Sequence, residues 1–129
     1  MSNIPKTLQY TRTHEWIKAE DDFITIGITD HAQTMLGDLV YIELPEIESS
    51  LDGGQECAVV ESVKAAADIY CPVACEVVEV NDAVIENPHL VNDDPYGRGW
   101  LLRVKPVDKK LQGLLDSSEY QKVVTSEAH

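Results

Sequence analysis

Up to about residue 105 the chain alternates short β-favouring runs with clusters of turn residues. Phe23-Ile24-Thr25-Ile26-Gly27-Ile28 and Leu39-Val40-Tyr41-Ile42-Glu43-Leu44 are rich in β-branched and aromatic residues and predict strands. Further strands are expected over Glu15–Ala19, Cys57–Val63, Ala74–Val80 and Trp100–Val104, broken by Pro45, Gly53-Gly54, Asn81-Asp82 and Asn92-Asp93-Asp94-Pro95. After Ile28, Thr29 or Asp30 can cap a short helix over His31–Leu36, and Gly37 can end it from a left-handed conformation. From Asp108 the pattern changes. Good helix formers fill Asp108–Leu115 and Ser117–Val124, and Ser117 or Ser118 with Glu119 forms a capping signal, so a helical segment is expected over about 108–125. The fold class is therefore mainly β with terminal helices. Ala58–Val63 and Cys75–Val80 are similar apolar-acidic runs on either side of Lys64, a hint of two related β-units.

Composition narrows the picture. At 129 residues, 43% of them hydrophobic, and with no Gly/Ser/Pro-rich linker, the chain suits one domain spanning 1–129. Ten basic against 23 acidic residues leave a net charge of −13. Such a surface repels phosphate backbones and anionic lipid heads, so neither nucleic acid nor membrane is an expected partner. The first residues carry no signal core or presequence pattern. Three cysteines, Cys57, Cys71 and Cys75, make no disulfide framework. The expected setting is the cytoplasm and the expected state a monomer.

Lys64 is the one lysine between Lys18 and Lys105, set between a strand-like run and Ala65-Ala66-Ala67. A tight hairpin there would hold an ε-amine in solvent on a rigid support, accessible to a modifying enzyme. Spacing alone fits a solubilising turn lysine better, since surface lysine is common. Other polar signals are weaker. His14 beside Glu15 suggests an acid/base pair, but neighbours on a strand face opposite ways. Cys71-x-x-x-Cys75 lacks the further ligands of a zinc site, and no metal is expected. Gly97-Arg98-Gly99 reads as a turn, with Trp100 in the core. No nucleophile has an identifiable base, and a non-catalytic protein is expected.

Glu61-Ser62-Val63-Lys64-Ala65, Asp68-Ile69-Tyr70 and Glu76–Asn81 together resemble the lipoyl-attachment region of the glycine cleavage system H protein family. Tyr10-Thr11, His14-Glu15-Trp16, Gly27, Thr29, Ala32, Leu36-Gly37-Asp38, Val40 and Leu44-Pro45 extend the likeness, as do Asn87-Pro88, Leu90, Asn92, Pro95-Tyr96-Gly97 and Gly99-Trp100-Leu101. The family often has Ser, Ala and Gly where this chain has Ala67, Cys71 and Cys75. Loss of a turn glycine at Cys75 would disturb a turn that needs positive φ.

The resemblance implies a lipoyl/biotinyl-carrier barrel-sandwich hybrid, with a short helix after the second expected strand and a lipoyl hairpin over about 56–80. It also implies lipoic acid in amide linkage on Lys64. The implied role is a shuttle. It carries the aminomethyl group of glycine from a pyridoxal-phosphate-dependent glycine decarboxylase to a tetrahydrofolate-dependent aminomethyltransferase, and dihydrolipoyl dehydrogenase then reoxidises it. A lipoate-protein ligase or a lipoyl/octanoyl transferase would install the arm. Glu15 and Asp68, with Thr13, match positions lining the cleft for the loaded arm; Glu61 and Asp68 are candidates for recognition by the lipoylating enzyme. Alternatives are a lipoyl-relay protein or the lipoyl or biotinyl domain of another complex. Biotin is disfavoured because Val63 and Ala65, not methionines, flank Lys64.

Overall fold

A computed structural model describes residues 3–108, 111 and 113–127. The chain runs β1 (Gln9–Tyr10), β2 (Glu15–Ala19), β3 (Ile24–Ile28), α1 (Asp30–Leu36), β4 (Leu39–Glu43), β5 (Ser50–Leu51), β6 (Glu56–Ser62), β7 (Ala66–Tyr70), β8 (Cys75–Val80), α2 (Asp82–Glu86), α3 (His89–Asp93), β9 (Leu102–Pro106) and α4 (Ser117–Glu127). The strands form two antiparallel sheets, a six-stranded one in the order β1-β2-β3-β9-β8-β5 and a three-stranded one in the order β4-β6-β7. Their apolar side chains form the main core, among them Ile26, Ile42, Val60, Val77 and Leu102. The mainly β fold with a C-terminal helix agrees with the sequence pattern.

Strand β3 is buried at every position because it lies between β2 and β9 and is covered on both faces. β7 instead alternates, with Ala66 and Asp68 outward and Ile69 inward, as an edge strand with one wet face should. A second apolar cluster of Leu8, Tyr10, Trp16, Leu115 and Tyr120 lies beneath α4. There the rings of Tyr10 and Tyr120 stack with centroids 4.7 Å apart.

Several expectations change. β6 and β7 alone make the hairpin; β8 crosses to the six-stranded sheet, so the two similar runs, Ala58–Val63 and Cys75–Val80, lie in different sheets. Of the helix expected over Asp108–Leu115, residues 109, 110 and 112 lie outside the described residues. Leu115 is held in an isolated bridge to Tyr10, because its side chain is drawn into the cluster beneath α4. The α2 and α3 segments are helical rather than simple breaks: Asn81 caps α2 by accepting from the Ala83 N–H at 3.2 Å. Cys75 opens β8 in pairing with Leu51 and Pro106 and has no positive φ, so its side chain strains no turn. Trp100 is only partly buried, with the Arg103 guanidinium 4.1 Å from its ring centroid.

Candidate functional site

The β6–β7 turn presents Lys64 in solvent, next to Val63, which is 80% exposed. The tip is nevertheless well defined. The Ser62 N–H donates to the Ala65 carbonyl at 2.7 Å, and the Ser62 hydroxyl accepts from the N–H groups of Lys64 and Ala65 at 3.3 and 3.0 Å. One serine side chain thus fixes the backbone on both sides of the lysine. The Lys64 stem lies over Gly37, where a Cβ would come 3.4 Å from Lys64 Cε. Gly37 takes φ 83° and ψ −159°, an extended region open essentially to glycine alone, rather than the expected left-handed helical one. Its carbonyl accepts from Asn92 Nδ2 at 2.9 Å, while Asn92 Oδ1 accepts from the Leu39 N–H at 2.9 Å. α3 therefore anchors the floor beneath Lys64.

Glu15 begins β2 and is buried, at the edge of a pocket of about 590 Å³ whose lining includes Thr11, Thr13, Tyr70, Cys71 and Leu114. Its Oε1 accepts from the hydroxyls of Thr11 and Thr13, each at 2.5 Å, and its Oε2 from the Tyr70 N–H at 3.4 Å. Burial raises the carboxyl pKa above its ordinary value, and these hydrogen bonds pull it back in part. Thr13 is thus brought to Glu15 as expected. Asp68 is exposed on β7 and does not line the pocket. It occupies the same strand face as Tyr70 and lies between that residue and the hairpin tip. Glu61 is half-buried in β6, between Tyr41 and Ala66.

A family model described as Glycine cleavage H-protein matches residues 8–127. The chain belongs to the glycine cleavage H-protein family. It is 50% identical to the glycine cleavage system H protein of Halorhodospira halophila, over 98% of this chain and 99% of that one. It is 54% identical to the one from Shewanella loihica, over 98% of this chain and all of that one. The crystal structure of a glycine cleavage system H protein from Mycobacterium marinum superposes with a TM-score of 0.87 at 39% identity, covering 92% of this chain and 97% of that one. An H protein is the non-catalytic lipoyl carrier that shuttles intermediates in glycine cleavage, and its partners lie within that system.

Thr11 and Tyr70 support Glu15, and Ser62 and Asn92 support the hairpin around Lys64. Sequence reasoning gave none of them a role, because each acts through a hydrogen bond whose partner is set by the fold. Cys57, Cys71 and Cys75 are buried free thiols, and burial pushes that of Cys57 up. No helix among the described residues is long and apolar enough to cross a membrane.

Proposed function

We propose that the chain acts as a single lipoyl-carrier domain, with Lys64 as the lipoylated residue and the Glu15 pocket as the shelter for the amine-bearing cargo. The observation that carries this reading is the path from one to the other. Lys64 stands at the pinned end of β7, and the outward face of that strand runs through Ala66 and Asp68 to Tyr70, whose N–H contacts Glu15. From Ala66 to Tyr70 the strand itself rises roughly 13 Å. Small Ala66 leaves the track open.

The donor set fits a lipoyl group in amide linkage. The Lys64 amine forms no hydrogen bond or ion pair with the described residues, and the glycine beneath it leaves room for the stem. When attached, the group supplies a dithiolane that takes up the aminomethyl unit and is left as a dithiol. Everything else falls to side chains of the chain itself. Ser62 holds the lysine in the orientation a modifying enzyme grasps. Glu61 and Asp68, flanking the tip, offer that enzyme acidic contacts. The Glu15 carboxylate accepts a charge-assisted hydrogen bond from a cationic amine. Thr11 and Thr13 aim that carboxylate, and the pocket wall excludes the water that would hydrolyse the cargo. Asp68 contributes charge along the approach. In this reading the decarboxylase, the aminomethyltransferase, dihydrolipoyl dehydrogenase and a lipoate-attaching enzyme are the successive partners, met in the cytoplasm.

Two experiments test it. Intact mass and peptide fragmentation of protein from lipoate-fed cells should find one lipoyl increment on Lys64, and none in Lys64→Arg; an unmodified Lys64 beside an active ligase would overturn the assignment. In Glu15→Gln, loss of one hydrogen bond to a charged group, about 1.5–3 kcal/mol, should speed hydrolysis of the loaded carrier roughly 10- to 100-fold. Asp68→Asn, being exposed, should have a smaller effect. Unchanged hydrolysis in both would remove the sheltering role.

A further inference from the structure

Apart from the Lys64 hairpin and the Glu15 pocket, donor side chains from three distant segments converge at the end of α4. His14 comes from the turn before β2, His31 from the first turn of α1 and Glu127 from the last residue of α4. His14 Nε2 lies 3.0 Å from both Glu127 carboxylate oxygens, and His31 Nε2 lies 3.5 Å from Oε1. One donor atom from each residue falls within 4.8 Å of the others. The two imidazoles are largely buried, at 13% and 14% side-chain exposure, whereas Glu127 is open to solvent at 40%.

Two features go beyond an ordinary ion pair. His31 Nε2 is buried with no hydrogen-bond partner, a state that costs free energy unless something fills it. His14 adopts φ 74°, rare for a side-chain-bearing residue. Its N–H, at 3.3 Å from the Thr11 carbonyl, and its own carbonyl, accepting from the Thr29 N–H at 3.0 Å, hold it there. Backbone outliers held from both sides gather at functional positions.

The ring of His14 is also oriented. Its Nδ1 lies 2.7 Å from the Tyr120 hydroxyl, and that hydroxyl 2.7 Å from Thr29 Oγ1. With no ion present Nε2–H donates to Glu127; with an ion bound, a run of protons from Nδ1–H to Tyr120 to Thr29 would leave the Nε2 lone pair free to ligate it. An outer hydrogen bond of this kind sets the tautomer of metal-binding histidines.

We propose that His14, His31 and Glu127 form a binding site for a divalent first-row transition ion, with zinc the best match and a coordination position open to solvent. Two imidazoles and one carboxylate suit zinc and its neighbours, whereas calcium and magnesium favour all-oxygen sets. Ligands about 2.0–2.1 Å from one tetrahedral ion stand roughly 3.3–3.4 Å apart; Glu127 lies 3.0 and 3.5 Å from the two imidazoles, and the three donor atoms all lie within 4.8 Å of one another, so a small approach of the imidazoles completes the set. The ion supplies the missing partner of His31 and ties the end of α4 to α1 and to the turn that precedes Glu15.

Zinc titration of the chelator-treated full chain, followed by calorimetry and thermal unfolding, tests the site. Binding of a single equivalent with a raised Tm is expected, and cobalt in its place should give a spectrum free of thiolate charge transfer. His31→Gln and Glu127→Gln should each weaken binding at least tenfold while the metal-free Tm stays near that of the parent. Tyr120→Phe, which removes only the orienting hydroxyl, should weaken it about tenfold. No binding by the parent would overturn the proposal. So would undiminished binding by both ligand variants, or a cobalt–thiolate spectrum placing the ion on the cysteines.

Discussion

Gly27 faces Trp16 across the β2–β3 pair, and a Cβ there would lie 2.6 Å from the indole ring. The indole cannot easily retreat, since its Nε1 donates to the Pro95 carbonyl at 2.9 Å. Gly27→Ala should therefore destabilise the fold by about 1–3 kcal/mol through overpacking, read as a lower urea midpoint. His89 offers a pH test. Its hydrogen bond to Asp93, then Asp38 nearby, raise its pKa above the ordinary histidine value. The protonated pair therefore contributes below the unfolded pKa and is lost as pH rises through the higher folded one. NMR should find the His89 midpoint above 6.5, and Asp93→Asn should lower it. At this scale residue type is legible and partnership is not. Glu15 stands out by resemblance, but the Thr11 and Tyr70 groups that hold it are known only from the fold.

Among the elements, α3 shows how a short segment can matter more than its pattern suggests. It is five residues long, too short for helical periodicity to register, yet Asn92 links it to Gln33, Gly37 and Leu39. Asn92→Ala leaves the Leu39 N–H and the Gly37 carbonyl without this partner and should cost about 1–3 kcal/mol in chemical denaturation. It should also slow lipoylation at Lys64 by loosening the floor under the hairpin. Strands with β-branched residues, such as β3 and β6, were legible from composition. Residues 111 and 113–115 are not helical where good helix formers predict a helix, because Leu115 enters the cluster beneath α4 through its bridge to Tyr10.

For the whole molecule the dominant quantity is the charge of −13. The proposed modification of Lys64 removes one positive charge more. A carrier this acidic would be drawn toward any basic patch on a partner, an attraction screened within about 8–10 Å at physiological salt. Association rates with partner enzymes should fall steeply between low and physiological ionic strength while the hydrolysis rate of sheltered cargo stays constant. Stopped-flow measurement across a salt series separates the two, and a salt-independent association rate would reduce the charge to a solubility role.

By itself the sequence determined the β-rich class, the short helix after Ile28 with Thr29 or Asp30 as its cap, the exposed lysine turn and, through its resemblance, the carrier role. These depend on local propensity and on motifs contiguous in the chain. The tertiary structure alone decided that β8 leaves the hairpin for the other sheet, that the face of β7 leads from Lys64 toward Glu15, and that residues 14, 31 and 127 meet. Each of those depends on contacts between segments far apart in sequence, where no spacing rule operates and only the packing of two sheets brings the partners together.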